Sequence, residues 1–425
     1  MLLVYTHKIT PRVKYVFKQI CTRILGVPVS FTTVIEEFIA HDSLKMSYTR
    51  QPLSNEIFVR SNELLFEQGL SDIDITVLPW EDTKCFFPTG DKSAVPFDIF
   101  AASFYLISRY EEYLPHLKDE FGRYTAEESL AYKNNFLDQP VVDIWAYKFK
   151  AILQATYPDF SFPEQKYTVI PVIDVPMAYE YKLKGIMRTV GGTFKDFFTF
   201  KFRRLYERYS VLTGFKRDPL DNYKYIINKQ KASKYKFVFF FLLGDFSTYD
   251  KNINPQKQKF ISLIKHIADY CKIGIKTSFF ALEEKTRMEG IINNAIVGSR
   301  HSFSKVNLPE SYRNLVELEI PEDYTMGYVN HLGFRAGTCT PFLFYDVDFE
   351  VQTPLKIVPY QALDFAFLKY HSLLDKQQSL KRLIKSIKNV NGTFVPVFHN
   401  YTFNKQERWK HFKTLFNIIL DVKKK

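Results

Sequence analysis

The sequence has few of the features that define small metal-binding, secreted and membrane-spanning proteins. Only four of its 425 residues are cysteines, and no two of them form a CxxC pair. This spacing argues against a zinc knuckle or a disulfide scaffold and is typical of a reducing compartment. No window approaches the roughly 18 uncharged apolar residues of a membrane-spanning helix. The first residues, MLLVYTHKIT, resemble a strand and not a signal peptide. We therefore expect a cytoplasmic protein.

The composition is that of a globular chain long enough for two domains. Hydrophobic residues make up 46% of the sequence and charged residues 24%, and 425 residues exceed one ordinary core. The 41 phenylalanines and 27 tyrosines indicate an aromatic-rich core, with a sugar-stacking surface as the alternative. The segment 157–165, with two prolines and no periodicity, is the best linker. We predict a mixed α/β domain over 1–163 and a second domain over 164–425.

Two helices are predicted in the first domain. One covers the apolar-periodic run 96–114. The other covers 138–157, with Asp138 as its N-cap and Pro140 near the first turn.

The positive charge is concentrated in one segment of the second domain. The net charge is +12, and residues 182–236 hold fifteen Lys or Arg against four acids. Aromatic and aliphatic residues alternate with these cations, a pattern that favours an anionic surface such as lipid headgroups. A helical insertion with a solvated basic face is the alternative. Because no nucleic-acid recognition motif is present, we expect no nucleic-acid partner.

A buried strand that ends in a carboxylate is predicted at the start of the second domain. The run Thr168-Val-Ile-Pro-Val-Ile-Asp-Val-Pro176 is β-branched and apolar, which is typical of a strand covered on both faces. Asp174 would then lie at the sheet edge where α/β proteins place their chemistry, although capping of the next turn is an alternative role. Strand-like and helical runs alternate from here to the C-terminus, which predicts a parallel sheet or a (β/α) barrel.

Long stretches of the chain resemble the polysaccharide deacetylases, and in particular long bacterial members with an N-terminal α/β domain that occur with surface-polysaccharide biosynthesis. The stretches are 97–143, 184–192, 309–328 and 333–346, which includes GFRAGT. The resemblance implies a distorted (β/α) barrel preceded by a smaller mixed α/β domain. It also implies a divalent metal such as zinc, which polarises the acetamide and activates water.

The resemblance assigns roles to individual residues. Asp174 matches the general base, His399 of Val-Phe-His-Asn the general acid, and Arg335 the arginine that orients the base. Asp364 matches an orienting carboxylate, while His301 and Asn400 lie in segments expected to contact the cleft. A satisfied core histidine is the alternative for His399. Purely structural roles are the alternative for Asp174, and are favoured for Asp364 and His301.

The expected metal ligands are replaced. Pro176 stands where Asp-Val-Asp would supply a second carboxylate, and Lys276 stands where Ile-Gly-Ile-His would supply a histidine. Neither side chain has a lone pair to offer a metal, and Phe280 and Ala281 offer none further along. We therefore expect no metal or other cofactor.

Two functions follow from these residues. The first is a degenerate deacetylase that binds an N-acetylated glycan or a lipid-linked sugar, with residues 182–236 contacting the inner face of the membrane. In this case Lys276 lines the cleft and contributes to substrate binding. It also lies within ion-pair reach of Asp174, because a buried carboxylate needs a compensating charge. The second is an active N-deacetylase in which Asp174 activates water, Lys276 stabilises the oxyanion and His399 protonates the amine.

Overall fold

A computed structural model of the chain describes residues 1–244, 253–278 and 281–421. The strands are β1 (Leu2–Tyr5), β2 (Val29–Thr32), β3 (Lys45–Thr49), β4 (Phe58–Arg60), β5 (Leu78–Trp80), β6 (Thr83–Cys85), β7 (Thr168–Val169), β8 (Val172–Val175), β9 (Val238–Leu242), β10 (Lys272–Thr277), β11 (Ser299–His301), β12 (Glu322–Asp323), β13 (Phe342–Asp346), β14 (Val351–Ile357), β15 (Ala362–Leu363), β16 (Thr393–Phe394) and β17 (Pro396–His399).

The α-helices are α1 (Pro11–Phe17), α2 (Ile35–Ala40), α3 (Ile99–Ile107), α4 (Leu130–Lys133), α5 (Val141–Thr156), α6 (Ile186–Phe198), α7 (Phe202–Leu212), α8 (Tyr223–Ala232), α9 (Gln258–Ala268), α10 (Ala281–Ile292), α11 (Glu310–Glu317), α12 (Leu373–Asn389) and α13 (Phe412–Ile419). Within the described ranges, no helix combines the length and the apolar composition needed to cross a bilayer.

The chain forms two compact units, and both are discontinuous in sequence. The first comprises Met1–Val169, Ser304–Ala362 and Lys381–Val395, and the second comprises Ile170–Phe303, Leu363–Leu380 and Pro396–Lys425. The prediction divided the chain once, near residue 163, whereas the first unit also takes in two later segments. The predicted mixed α/β architecture is confirmed.

The first unit contains a parallel sheet in the order β2-β1-β3-β4. Helix α3 is buried along its whole length, and the Asp98 carboxylate caps it by accepting from the backbone N–H groups of Phe100 and Ala101. The predicted helix over 96–114 ends early, because Arg109 adopts the left-handed conformation with φ 56°. Helix α5 follows Pro140, and Asp138 does not cap it.

The break at Arg109 places charged side chains inside the first unit. The buried Glu112 carboxylate accepts two hydrogen bonds from Arg335, at 2.9 and 2.6 Å, and one from Arg109 at 2.7 Å. Arg109 also donates to Glu111 at 2.7 Å. Two guanidinium groups therefore share one buried carboxylate. The charge of Glu112 is compensated only when both Arg109 and Arg335 are in place.

The second unit is built on a parallel sheet in the order β11-β10-β9-β8-β17. Strands β8 and β9 are buried at every residue, as expected for strands covered on both faces. Gly274 is required in β10, because a Cβ there would lie 2.5 Å from the Gly298 carbonyl oxygen. The described pairings do not close this series of strands into a barrel.

Replacing Glu112 tests the charge cluster of the first unit. Burial alone would raise the pKa of Glu112, but Arg335 and Arg109 lower it from 4.5 to about 2. This shift contributes about 3 kcal/mol of stability, which is present above pH 4.5 and is lost as the pH falls towards 2. We expect Glu112→Gln to lower the free energy of unfolding by about that amount at pH 7 and to remove this acid dependence. Urea denaturation measures both, with the exposed Glu120→Gln as the control. Equal urea midpoints for the two variants would contradict the prediction.

Candidate functional site

Parallel pairing brings four ionisable side chains to one edge of the second unit's sheet. Asp174 on β8 is the register partner of His399 on β17, and Lys276 on β10 is the register partner of Arg300 on β11. Because register partners project from the same face of a sheet, each pair lies on one side. The site therefore depends on the register of the strands and not on loop conformation.

The predicted contact between Lys276 and Asp174 is confirmed. Lys276 Nζ donates to Asp174 Oδ2 at 3.0 Å, and Arg300 Nε donates to the same oxygen at 2.9 Å. Asp174 is 1% exposed, Lys276 4% and Arg300 1%. A buried carboxylate is thus held between two buried cations, which is the compensation that a charge removed from water requires.

The contact with Arg300 indicates that the sheet is curved. In a flat sheet β8 and β11 would lie about 14 Å apart, since adjacent strands are spaced by about 4.8 Å. The 2.9 Å bond between Arg300 Nε and Asp174 Oδ2 requires these strand ends to approach each other more closely. The curvature directs the side chains of β8, β10 and β11 towards a common point.

The electrostatic environment keeps Asp174 ionised. Burial alone would raise its pKa, but the positive charges of Lys276 and Arg300, together with the neighbouring His399, hold the pKa well below the usual range of an aspartate. Asp174 Oδ2 receives both hydrogen bonds, whereas buried Oδ1 has no hydrogen-bond partner in the described parts of the chain. A carboxylate of such low basicity is a weak general base.

His399 is oriented by Asp364. Its Nδ1 lies 3.0 Å from both Asp364 oxygens, and its backbone N–H donates to Asp364 Oδ2 at 2.7 Å. Asp364 is fully buried, and its Oδ1 also accepts from the backbone N–H of Phe365 at 2.8 Å. These bonds leave His399 Nε2 3.6 Å from Asp174 Oδ2. A carboxylate that fixes one ring nitrogen while the other faces a reactive position is the arrangement of an oriented acid or base.

Aromatic rings surround His399 on its accessible side. The Tyr401 ring stacks on the imidazole at a centroid distance of 4.7 Å and an angle of 15°, and the Phe365 ring meets it edge-on at 5.4 Å. The His399 side chain is 12% exposed, so it is the most accessible of the four ionisable groups at the site. Any ligand of this site would meet His399 and its aromatic neighbours first.

Two further predicted residues have different surroundings. His301 Nδ1 lies 3.0 Å from the Thr277 hydroxyl. Asn400 is fully buried, and its amide nitrogen lies within hydrogen-bond distance of the Met177 carbonyl at 3.0 Å, the Tyr223 hydroxyl at 3.2 Å and the Leu220 carbonyl at 3.3 Å. Asn400 therefore ties together the segments that follow β8 and α7.

The arginine that contacts Asp174 differs from the one that was predicted. Arg335 lies in the first unit, where its guanidinium bonds to Glu112 and to the Gly327 carbonyl at 3.3 Å. We therefore assign the orientation of Asp174 to Arg300. The sequence signal for Arg300 was its position at the end of an apolar strand-like run, beside His301, which was predicted to contact the cleft.

The donor set does not fit a divalent metal ion. Pro176 has no side-chain donor, and the Lys276 ammonium is bonded to the carboxylate that a metal would need. A dication at Asp174 would also face the like charges of Lys276 and Arg300. Among the described residues, no group of three or more His, Cys, Asp or Glu is placed to hold a metal. Ala281 begins α10, and Phe280 lies outside the described residues.

Comparison with known proteins gives a partial match to a family model and a distant structural similarity. A family model described as a family of unknown function, DUF7033, matches residues 2–158. None of the curated proteins compared with the chain matches it. Among solved structures, similarity is found to the crystal structure of a "putative polysaccharide deacetylase" from Mycobacterium smegmatis. It has a TM-score of 0.38 and 13% identity over 62% of this chain and 87% of that one.

Removing the Lys276 charge tests the ion pair. We expect Lys276→Met to lower the free energy of unfolding by about 3 kcal/mol, because it leaves a buried carboxylate with one cation fewer. In the unchanged protein, the stability contributed by Asp174 is present above pH of about 3.9 and is lost as the pH falls through its lower folded pKa. In the variant this loss should occur at higher pH. Lys272→Met, at an exposed position of the same strand, is the matched control. If both variants unfold at the same urea concentration at every pH, the pair does not stabilise the fold.

Proposed function

We propose that this chain is a polysaccharide-deacetylase-like protein of surface-glycan metabolism that has lost metal-dependent N-deacetylation. In this proposal it binds an N-acetylated glycan or a lipid-linked sugar at the sheet edge around His399. The bond between Lys276 Nζ and Asp174 Oδ2 at 3.0 Å is the observation that carries it. The ammonium group stands where the resemblance places a metal ligand.

The protonation chemistry of Asp174 supports the loss of hydrolysis. A general base works best when its pKa lies near the working pH, and the pKa of Asp174 is held far below that range by its two cations. Its Oδ2 accepts from both Lys276 and Arg300, so protonation there would compete with two charged donors. The same pairing that stabilises the carboxylate removes its basicity.

The surroundings of His399 support binding. Sugar sites combine aromatic surface with a few fixed polar groups, and His399 has Tyr401 and Phe365 as ring neighbours. Asp364 fixes the orientation of the imidazole, so Nε2 is the polar atom that a sugar hydroxyl or acetamide would meet. The curvature of the sheet agrees with a distorted (β/α) barrel, in which such a site lies at the carboxyl ends of the strands.

A second candidate function is metal-free N-deacetylation. The observation that favours it is the distance of 3.6 Å between His399 Nε2 and Asp174 Oδ2, combined with the Asp364–His399 bond. In this scheme Asp174 accepts the proton of the attacking water, Lys276 stabilises the oxyanion, and His399 gives a proton to the amine as the C–N bond breaks. The products are acetate and the free amino sugar.

Glycan binding is tested by calorimetry with N-acetylhexosamine oligomers. We expect saturable binding that chelators do not change, because no step of recognition uses a metal. His399→Gln should weaken binding about tenfold, the usual cost of one lost polar contact in a site. His371→Gln, at an exposed position of the same unit, should leave it unchanged. If His399→Gln and His371→Gln bind the oligomers with equal affinity, the proposal that the glycan binds at His399 is wrong.

Acetate release separates the two candidate functions. Purified protein incubated with the same oligomers, with and without zinc or cobalt, should release no acetate. Metal-dependent release would overturn the proposed loss of the metal route. Release that needs no metal, and that disappears in both Asp174→Asn and Lys276→Met, would establish the second candidate instead.

A further inference from the structure

Helices α6 and α7 expose an unusual amount of apolar surface. We call residues 186–215 the aromatic hairpin. Its large apolar side chains with at least half of their surface exposed are Ile186 (83%), Met187 (89%), Phe194 (58%), Phe197 (54%), Phe198 (72%), Phe200 (79%), Phe202 (55%), Tyr206 (66%) and Phe215 (89%). Single exposed apolar residues are common, but a concentration of this kind marks an interaction surface.

The exposed phenylalanines at the turn of the hairpin are continuous. Phe194 and Phe198 stack at 6.4 Å, and Phe197 lies 5.7 Å from Phe198 and 6.1 Å from Phe202. Phe200 and Phe202 are 6.2 Å apart. The rings therefore form one patch that spans the end of α6, the connecting turn and the start of α7.

The inner side of the hairpin is polar. Asp196 on α6 and Arg208 on α7 form a buried ion pair, with 3% and 6% exposure. Gly192 faces the same guanidinium, and a Cβ there would lie 2.5 Å from an Arg208 nitrogen. The helices are thus joined by charge and close backbone approach, while their phenylalanines point outwards. In a helical hairpin exposed to water, the apolar residues face inwards and the polar residues outwards. Here the arrangement is reversed.

The hairpin is attached to the site through its base. The Asp218 carboxylate accepts from the backbone N–H groups of Glu180, Tyr181 and Lys182 at 2.8, 2.9 and 3.1 Å. Asn400, the residue after His399, contacts the Met177 and Leu220 carbonyls on both sides of the hairpin. The orientation of the hairpin is therefore fixed relative to the sheet edge within the same unit.

The charge on the hairpin is positive where it is exposed. Residues 186–217 contain eight Lys or Arg and two acids. Of the acids, Asp196 is buried in its ion pair and Glu207 accepts from the Tyr181 hydroxyl at 3.2 Å. The exposed cations are Lys195, Lys201, Arg203, Arg204, Lys216 and Arg217, and the first four lie in sequence among the exposed phenylalanines. Their complement is an anionic surface that also accepts aromatic side chains.

We propose that the aromatic hairpin docks the protein on an anionic lipid bilayer. The phenylalanines enter the boundary between headgroups and acyl chains, and the flanking cations contact lipid phosphates. Helices α6 and α7 lie on the membrane and do not cross it. This inference is independent of the proposed glycan site, because it rests on the hairpin alone.

Vesicle co-sedimentation of the full chain tests the proposal. We expect binding to phosphatidylcholine vesicles that contain phosphatidylglycerol, weaker binding without it, and loss of binding as salt rises. Combining Phe198→Ser with Phe200→Ser should weaken partitioning at least about tenfold. Combining Lys201→Ser with Arg203→Ser should weaken it roughly 25-fold on anionic vesicles.

The controls use apolar side chains exposed elsewhere. Leu117→Ser combined with Phe121→Ser changes side chains that are 74% and 45% exposed in the first unit, and should leave vesicle binding unchanged. Circular dichroism of each variant checks that its fold is retained.

The proposal is overturned if the protein does not bind anionic vesicles, or if the control variant loses as much binding as the phenylalanine variant. It is also overturned if sedimentation without lipid shows self-association that the phenylalanine variant abolishes, since a second copy would then cover the patch. Glycan titration in solution uses no lipid, so failure of one proposal leaves the other testable.

Discussion

The structure of the candidate site depends on one buried carboxylate and its two cations. Asp174 cannot remain ionised at 1% exposure without compensation, and Lys276 and Arg300 supply it at 3.0 and 2.9 Å. Because the cations come from β10 and β11, the carboxylate links strands that are not adjacent to β8. Compensation of this charge therefore requires both the register of the sheet and its curvature, and a shift in either would leave a charge unpaired.

In the proposed descent from a deacetylase, Lys276 takes the place of a metal ligand, and this exchange would change what the site is able to do. A divalent ion polarises a carbonyl and acidifies water while it leaves a nearby carboxylate free to accept a proton. An ammonium bonded to that carboxylate instead uses it as a counter-ion. The positive charge is retained, but it stabilises the fold at the expense of basicity. The oriented Asp364–His399 pair beside a carboxylate of low basicity fits the proposal of a binding site derived from a catalytic one.

The sequence predicted local features better than long-range partners. The Lys276–Asp174 contact followed from charge compensation between two positions that the resemblance places in one cleft, and the parallel sheet followed from apolar runs that alternate with helices. The predicted strand from Thr168 is divided into β7 and β8 by Pro171, whose missing N–H interrupts pairing. Arg335 and Arg300 both follow plausible motifs, and only the three-dimensional structure assigns one to Glu112 and the other to Asp174. The left-handed conformation of Arg109, which ends α3, was equally invisible. The apolar pattern continues past residue 109, and the buried Glu112 carboxylate that Arg109 contacts is shared with Arg335, which is distant in sequence.

The two proposals, for the aromatic hairpin and for the sheet edge, together place a joint requirement on the ligand. The hairpin begins 12 residues after Asp174, and Asp218 and Asn400 fasten its two ends. If the phenylalanines enter a bilayer, these bonds connect the sheet edge around His399 to an element bound to the membrane. A free oligosaccharide gains nothing from this placement. A sugar attached to a lipid is concentrated in the same layer, and the two sites would then bind two parts of one molecule with a high effective concentration.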